Sequence, residues 1–375
     1  MRTYLVGGAL RDRLLGLPVS DRDWLVVGAT PEQMVARGYL PVGRDFPVFL
    51  HPKTREEHAL ARTERKSAPG YRGFTIHASP EVTIEEDLAR RDLTINAIAL
   101  PAELADAATT DANALVDPFH GQRDLRDKVL RHVTHAFRED PVRILRVARF
   151  SARFHDFSIA PETMALMRGM VEAGEVDALV PERVWQELAR GLMEAMPSRM
   201  FDVLQACGAL QRLLPGVEAH AYRLRSIDRT ARLGAPLPVR FGCLTWGLAT
   251  PTLLAVCDRL RAPTDERDLA LLLAREGQSV GASTTLGAAD IVALLERCDA
   301  IRKPARFGQL LQACECCEVG DATRAGQRLG AALSAVQAVA TNVIAREAQS
   351  AGESGPKIGD AIRRARIEAV ARAFD

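Results

Sequence analysis

Histidine runs out early in this chain. All eight histidines (51, 58, 77, 120, 132, 135, 155 and 220) precede residue 221. Residues 221–375 therefore cannot assemble a metal site that needs an imidazole. Cysteine is distributed the opposite way, with all seven lying from Cys207 onward. Cys314, Cys316 and Cys317 cluster, but no histidine or second cysteine pair completes a zinc pattern. Their apolar, helix-like surroundings predict buried, reduced thiols. Lysine is scarce: five of 49 basic residues. Arginine replaces it throughout, so only arginines in special positions carry meaning. A net charge of +1 announces no polyanionic partner, although clustering can still build a basic face. No run of about 18 apolar residues could span a membrane, and the opening MRTYLVGG lacks a signal-peptide core. A cytoplasmic protein without a membrane partner is expected. With 375 residues, 47% of them apolar and 26% charged, the chain has ordinary globular composition and room for two or three domains.

What is present is concentrated between Tyr4 and Val27. Tyr4-Leu5-Val6 predicts a short strand, broken by Gly7-Gly8. Leu10, Leu14 and Leu17 then recur at helical spacing until Pro18 ends the helix. Asp21-Arg22-Asp23 leads into Trp24-Leu25-Val26-Val27, a buried-strand run. On a strand, residues two apart share a face, so Asp21 and Asp23 should project together. A lone D-x-D is usually a solvated turn. Here a Gly-Gly turn precedes it, permitting close backbone approach and freeing helix N–H groups for a phosphate. A phosphate cradle beside two carboxylates is what Mg²⁺-dependent phosphoryl transfer requires.

Thr30-Pro31 reads as a capped helix start. Strands are expected at 43–50 and at Glu57–Ala61, making 1–65 a small sheet with helices against it. Glu57 or Glu64 could add a third carboxylate near Asp21 and Asp23, though a structural role for each is the simpler reading. The segment 66–74 is a Pro/Gly-rich loop carrying basic and aromatic residues. In EEDLARRDLTINAIA (85–99), Leu88, Ile95 and Ile98 mark a helical apolar face, which would bring Arg91, Asp92 and Asn96 within about one turn. Residues 101–114 read as a surface loop, and Asp117 and Asp124 as turn or cap residues. In FREDPVRILRVARFSARF (137–154), Pro141 opens a helix with Glu139 and Asp140 at its positive end. Asp140, Arg143 and Arg146 recur every three residues and should share one face.

These motifs together resemble the nucleotidyltransferase superfamily. GGALRD with DRDW, RRDLTINA, DPFHGQRDL and EDPVRILRVARF are similar, in that order, to class II tRNA nucleotidyltransferases, the bacterial CCA-adding enzymes. The resemblance covers most of residues 1–220. It implies catalytic, Mg²⁺-binding roles for Asp21 and Asp23. It places Gly8, Arg11, Arg91, Asp92, Asn96, Asp140, Arg143 and Arg146 around ATP or CTP, with Arg91 on the phosphates, Asp92 and Asn96 near the ribose, and a flexible flap at 66–74. It further implies that Asp140 and Arg143 read the incoming base, with Arg146 helping to hold the triphosphate. The chemistry of that reading is self-consistent. Cytosine and adenine each present an exocyclic amine beside an unprotonated ring nitrogen, which a carboxylate and a guanidinium can match. Uracil and guanine would meet the same pair donor to donor and acceptor to acceptor, at about 1–3 kcal/mol per unpaired group.

From Pro161 the pattern is helical almost throughout, with helices expected at 161–173, 181–196, 199–213 and onward. Trp185 is expected in a core, and Arg363, Arg364 and Arg366 on an outer face. The expected fold is α+β: a small palm with a mixed sheet and helices, then an all-α neck, body and tail. The expected divisions are a catalytic head at 1–137, a helical neck and body for base selection and RNA binding at 138–220, and a helical tail at 221–375. Many enzymes resembling this chain carry a His/Asp phosphohydrolase site in the tail. Where that pair would fall, this chain reads Phe241-Gly242-Cys243-Leu244-Thr245-Trp246-Gly247, so a reduced, inert tail is expected. The activity expected is template-independent addition of CCA to the tRNA 3′ end from CTP and ATP. Alternatives are a partial CC- or A-adding enzyme, a poly(A) polymerase, or a non-catalytic RNA-binding relic.

Overall fold

The computed structural model describes residues 1–19, 21–42, 48–66, 74–107 and 109–374, with 64–66 and 74–78 as backbone only. The start of the 43–50 strand, the loop between 66 and 74 and the Glu64 side chain lie outside the described residues. Contacts divide the chain into two compact units. One comprises Met1–Glu187 with Asp202–Leu213, the other Leu188–Phe201 with Leu214–Asp375. Residues 138–187 thus group with the head.

The first unit is built on a mixed sheet. Its strands are β1 (Arg2–Val6), β2 (Asp23–Val27), β3 (Leu40–Val42), β4 (Val48–Leu50) and β5 (Glu57–Leu60), ordered β3-β4-β5-β2-β1. A sixth strand, Ala99–Pro101, pairs antiparallel with β1 at the edge. The β1–β2 pair is antiparallel and the β2–β5 pair parallel. Alternation along β2 sends Leu25 and Val27 into one core, with Tyr4, Val6, Ile84 and Leu88. Val26 points the other way, against Met34, Phe49 and Leu60. Both faces are therefore covered, which explains why Trp24–Val27 is apolar without a break. Between β1 and β2 runs α1 (Gly7–Leu14), and α2 (Pro31–Ala36) follows β2. As expected, Thr30 caps α2, accepting from the Gln33 N–H in a reciprocal capping box.

One expected element is different. Residues 85–99 do not form a single helix. Helix α3 ends at Ala89, a 3-10 turn occupies Thr94–Asn96, and the sixth strand starts at Ala99. Tertiary contacts override the helical spacing. Thr94 N–H donates to the Arg131 carbonyl at 2.9 Å, and the following residues are taken by β1. The 3-10 turn is also pressed against Gly121, where an added Cβ would lie 2.2 Å from the Thr94 carbonyl oxygen. Gly121 opens α4 (Gly121–Asp127), which Asp117 caps by accepting from the N–H groups of Gly121 and Gln122 at 2.7 and 2.9 Å. Asp124 is buried under Thr94 and Arg131. Both aspartates are structural, as their sequence context suggests.

Helix α5 (Val142–Arg153) is buried nearly all round, including Arg143 and Arg149. It is followed by α6 (Pro161–Glu172) and α7 (Pro181–Leu192). The helix expected over 199–213 is interrupted at Gly208, whose φ of +82° suits glycine. It forms α8 (Ser198–Ala206) and α9 (Ala209–Leu213). Trp185 is half-buried rather than enclosed in a core.

The second unit continues as helices from Ala221 to Phe374. All seven cysteines are buried and unbridged. Arg363 and Arg364 are exposed on the last helix and Arg366 is half-buried. No helix among the described residues is by itself long and apolar enough to cross a membrane.

Candidate active site

The β1–α1 turn and the start of β2 meet at one end of the sheet. Val6 is the register partner of Asp23, and Asp23 is in turn the partner of Glu57. Gly7 therefore sits directly against Asp23. Its φ is +71°, and a Cβ there would lie 3.3 Å from Arg91 Nη1 and 3.7 Å from Asp23 Oδ2. The left-handed conformation favours glycine, and an added Cβ would also crowd Arg91. The first turn of α1 carries no acidic residue and no side-chain cap. Its N–H groups are thus available to an anion.

Asp23 opens β2 and Asp21 lies two residues before it; both are exposed. Although Asp23 keeps solvent contact, desolvation against the β1–α1 turn pushes its carboxyl above the usual range. Arg91 opposes the shift, while Glu57 and Asp21 add to it as like charges. Glu57 is thus close enough to be felt electrostatically. Among the described residues no three histidine, cysteine or acidic side chains converge to hold a metal alone. The two carboxylates, as hard oxygen donors with like charge beside them, suit a divalent cation whose remaining ligands come from phosphates.

Arg91 leans over this corner. Its Nη2 donates to Asp87, a buried carboxylate, at 3.2 Å, and its Nη1 donates to the Asn96 carbonyl at 3.4 Å. Arg91, Asp92 and Asn96 do come together, although through a turn and not a continuous helix. Asn96 Nδ2 donates to Asp92 Oδ1 at 3.0 Å. Asp92 also accepts from the Leu93 N–H at 2.8 Å and from Arg146 Nε at 2.7 Å. Burial alone would raise the Asp92 carboxyl, but Arg146 and the Asn96 hydrogen bond outweigh it and hold it well below the usual carboxylate range. Arg11 completes the network. Its Nη1 donates to Asn96 Oδ1 at 2.7 Å and its Nε to Asp12 at 2.9 Å. Its guanidinium lies 5.1 Å from the ring centroids of both Phe150 and Phe154. Gly8 stands beside it, 3.5 Å from Arg11 Nη2 at the Cβ position.

The neck residues are arranged differently from their simple spacing. Arg143 is buried and donates to the carbonyls of Ala136 and Arg90, both at 2.7 Å. Asp140 is gripped by Arg183 of α7 through two contacts, Nη1–Oδ1 at 3.0 Å and Nη2–Oδ2 at 2.7 Å. Four residues on, Glu187 accepts from Arg149 at 2.6 Å and lies 3.8 Å from Arg146. Sequence reading passed over both α7 residues. The only signal available was their i, i+4 spacing inside PERVWQEL.

In the second unit, the positions expected to hold a His-Asp pair are packed. Thr245 is buried and its hydroxyl donates back to the Phe241 carbonyl at 2.9 Å. The Trp246 ring lies on Gly277, 2.8 Å from where a Cβ would be.

Known proteins resemble this chain along its length. A family model described as "Poly A polymerase head domain" matches residues 3–131. One described as "Probable RNA and SrmB- binding site of polymerase A" matches 156–220. A "Multifunctional CCA protein" of Variovorax paradoxus (strain S110) is 62% identical over 99% of this chain and 99% of its own. That of Polaromonas naphthalenivorans (strain CJ2) is 57% identical over 99% and 98%. The Variovorax alignment runs over 418 positions against 375 residues here, so the relative carries segments this chain lacks. Among solved structures, a CCA-adding enzyme in complex with CTP superposes with a TM-score of 0.74 at 22% identity, covering 99% of this chain and 87% of that one. The Thermotoga maritima CCA-adding enzyme complexed with tRNA gives 0.69 at 21% identity, covering 100% and 90%. These two establish the shared α+β fold. The identity to the curated relatives over the full chain establishes more: this chain belongs to the class II tRNA nucleotidyltransferases, the family of CCA-adding enzymes.

Proposed function

We propose that this enzyme builds and repairs the 3′-terminal CCA of tRNA from CTP and ATP without a nucleic-acid template. The observation that carries the reading is the corner where Gly7, Asp23 and Arg91 meet: an anion-ready helix start, a carboxylate and a guanidinium within one van der Waals layer. Asp21 and Asp23 would hold Mg²⁺, which when bound supplies charge neutralisation on the triphosphate and acidifies the primer hydroxyl. The N–H groups of α1, together with Arg91, receive the phosphates. The tRNA 3′-oxygen forms its bond to the α-phosphorus in line as the bond to pyrophosphate breaks, and the hydroxyl proton passes to water. Asp140 and Arg143 take the place of a template, accepting from the base amine and donating to the ring nitrogen. The Asp92–Asn96–Arg11–Arg146 network sets the floor on which the ribose and triphosphate rest. The head supplies chemistry, residues 138–220 supply base selection and RNA grip, and the reaction takes place in the cytoplasm where its substrates are.

The tail at 221–375 serves packing or tRNA grip and has no hydrolytic chemistry. Its support is the absence of histidine there and the packing of Thr245 and Trp246.

The test uses tRNA transcripts ending at the discriminator base, at C and at CC, offered each NTP singly and CTP with ATP. Growth by CCA followed by a stop, abolished in an Asp21→Ala, Asp23→Ala variant, is expected. Arrest at CC, addition of A alone, or runs of A would replace the reading with a partial enzyme or a polymerase.

A further inference from the structure

Asp140 is asked to read a base, yet its carboxylate is already held by another residue. An ionised carboxylate offers about four acceptor positions. Oδ1 accepts from the Val142 N–H at 3.1 Å and from Arg183 Nη1 at 3.0 Å, and Oδ2 accepts from Arg183 Nη2 at 2.7 Å. Three positions are filled among the described residues, and the fourth lies on Oδ2. The planar fork of arginine fixes the plane of the carboxylate as well as its position, which a point charge cannot do. Both side chains are about three-quarters covered, 25% and 23% exposed, so the pair is not a loose surface contact. The same helix braces α5 a second time through Glu187 and Arg149.

We propose that Arg183 is a specificity-determining positioning residue. By occupying two acceptors of Asp140 beside the one taken by the Val142 N–H, it leaves a single site of fixed direction that takes one amine hydrogen from cytosine or adenine. This rests on the base-reading role of Asp140. A freely rotating carboxylate could turn aside from the carbonyl of uracil or guanine, or take a water between them, and the penalty for the wrong base would shrink. Clamped by Arg183, it cannot retreat.

The test compares wild type with Arg183→Gln, Arg183→Lys and Asp140→Ala in the full-length enzyme. Steady-state kcat/KM is measured for CTP against UTP on a tRNA ending at the discriminator base, and for ATP against GTP on a tRNA ending in CC. Arg183→Gln should lower both selectivity ratios by about tenfold, the worth of one well-oriented hydrogen bond. Arg183→Lys should recover the rate with CTP and ATP but only part of the selectivity, since an ammonium cannot hold both oxygens. Equal loss of rate with all four nucleotides and unchanged ratios would overturn the proposal, leaving Arg183 a structural brace. A faster, equally selective Arg183→Gln enzyme would also overturn it, making the contact an inhibitory latch. If Asp140→Ala leaves the ratios intact, base reading by Asp140 itself falls. If Asp140→Ala relaxes them and Arg183→Gln does not, only the positioning role falls.

Discussion

Nε and Nη2 of Arg146 both lie 2.7 Å from Oδ2 of Asp92. That contact ties the turn after α3 to the middle of α5, two segments 54 residues apart. The turn that carries Asp92 and Asn96 and helix α5 are therefore one electrostatic unit.

Replacing Asp92 with Asn should destabilise the enzyme by about 3 kcal/mol. A buried pair broken on one side leaves an uncompensated charge, and the partial exposure of Arg146 keeps the cost at the lower end. The carboxyl is held below its unfolded value of about 3.9 in the folded state, so its contribution is complete above that pH and is lost as pH falls toward the folded value. Denaturant titrations should show a constant gap between wild type and Asp92→Asn above about pH 5, closing below about pH 4. A gap that widens in acid would contradict the pairing.

Glu57 raises the Asp23 carboxyl through like charge. Metal binding needs the ionised form, so the acid limb of activity follows Asp23 deprotonation. Glu57→Gln should move that limb to lower pH in single-turnover assays at subsaturating Mg²⁺, where protons and metal compete for the carboxylate. A shift to higher pH, or loss of activity at all pH values, would indicate that Glu57 instead serves as a third ligand.

Gly7→Ala should cost about 1–2 kcal/mol of stability from the left-handed backbone alone. It should also weaken nucleotide binding, because the new methyl crowds Arg91 and shifts its guanidinium. Thermal unfolding and nucleotide titration together check both effects. Gly16 makes a control, with φ of +69° and no atom within 4 Å of an added Cβ. Gly16→Ala should show the stability loss without the binding loss.

The tail should hydrolyse nothing. Purified enzyme, offered phosphodiester and phosphomonoester substrates with several divalent metals, should show no hydrolysis above blank. Robust hydrolysis that survives Asp21→Ala, Asp23→Ala would mean that a site exists in the second unit without histidine.

Sequence and structure part company at identifiable places. Tyr4 to Val27 was legible because strand, glycine turn, helix and strand follow one another within a few residues, and local period and turn chemistry settle each. The helices after Pro161 were legible for the same reason, apart from the break at Gly208. The segment 85–99 was misread because its apolar spacing is helical while its hydrogen bonds go to Arg131 and to β1, neither visible locally. Arg183 was passed over because its partner lies 43 residues away, and an arginine at the start of an amphipathic helix looks like any solvated charge.

The sequence by itself determined which residues stand where: the carboxylates and arginines of the candidate site, and that residues 221–375 contain no imidazole. These follow from residue identity and short-range order, which no packing can change. Only the tertiary structure decided how those groups are held. It buried Arg143 against two backbone carbonyls, locked Asp92 to Arg146, and set Arg183 on Asp140. Such pairings depend on which distant surfaces exclude water together, because charges separated along the chain pair strongly only once folding has brought them into a shared, desolvated space.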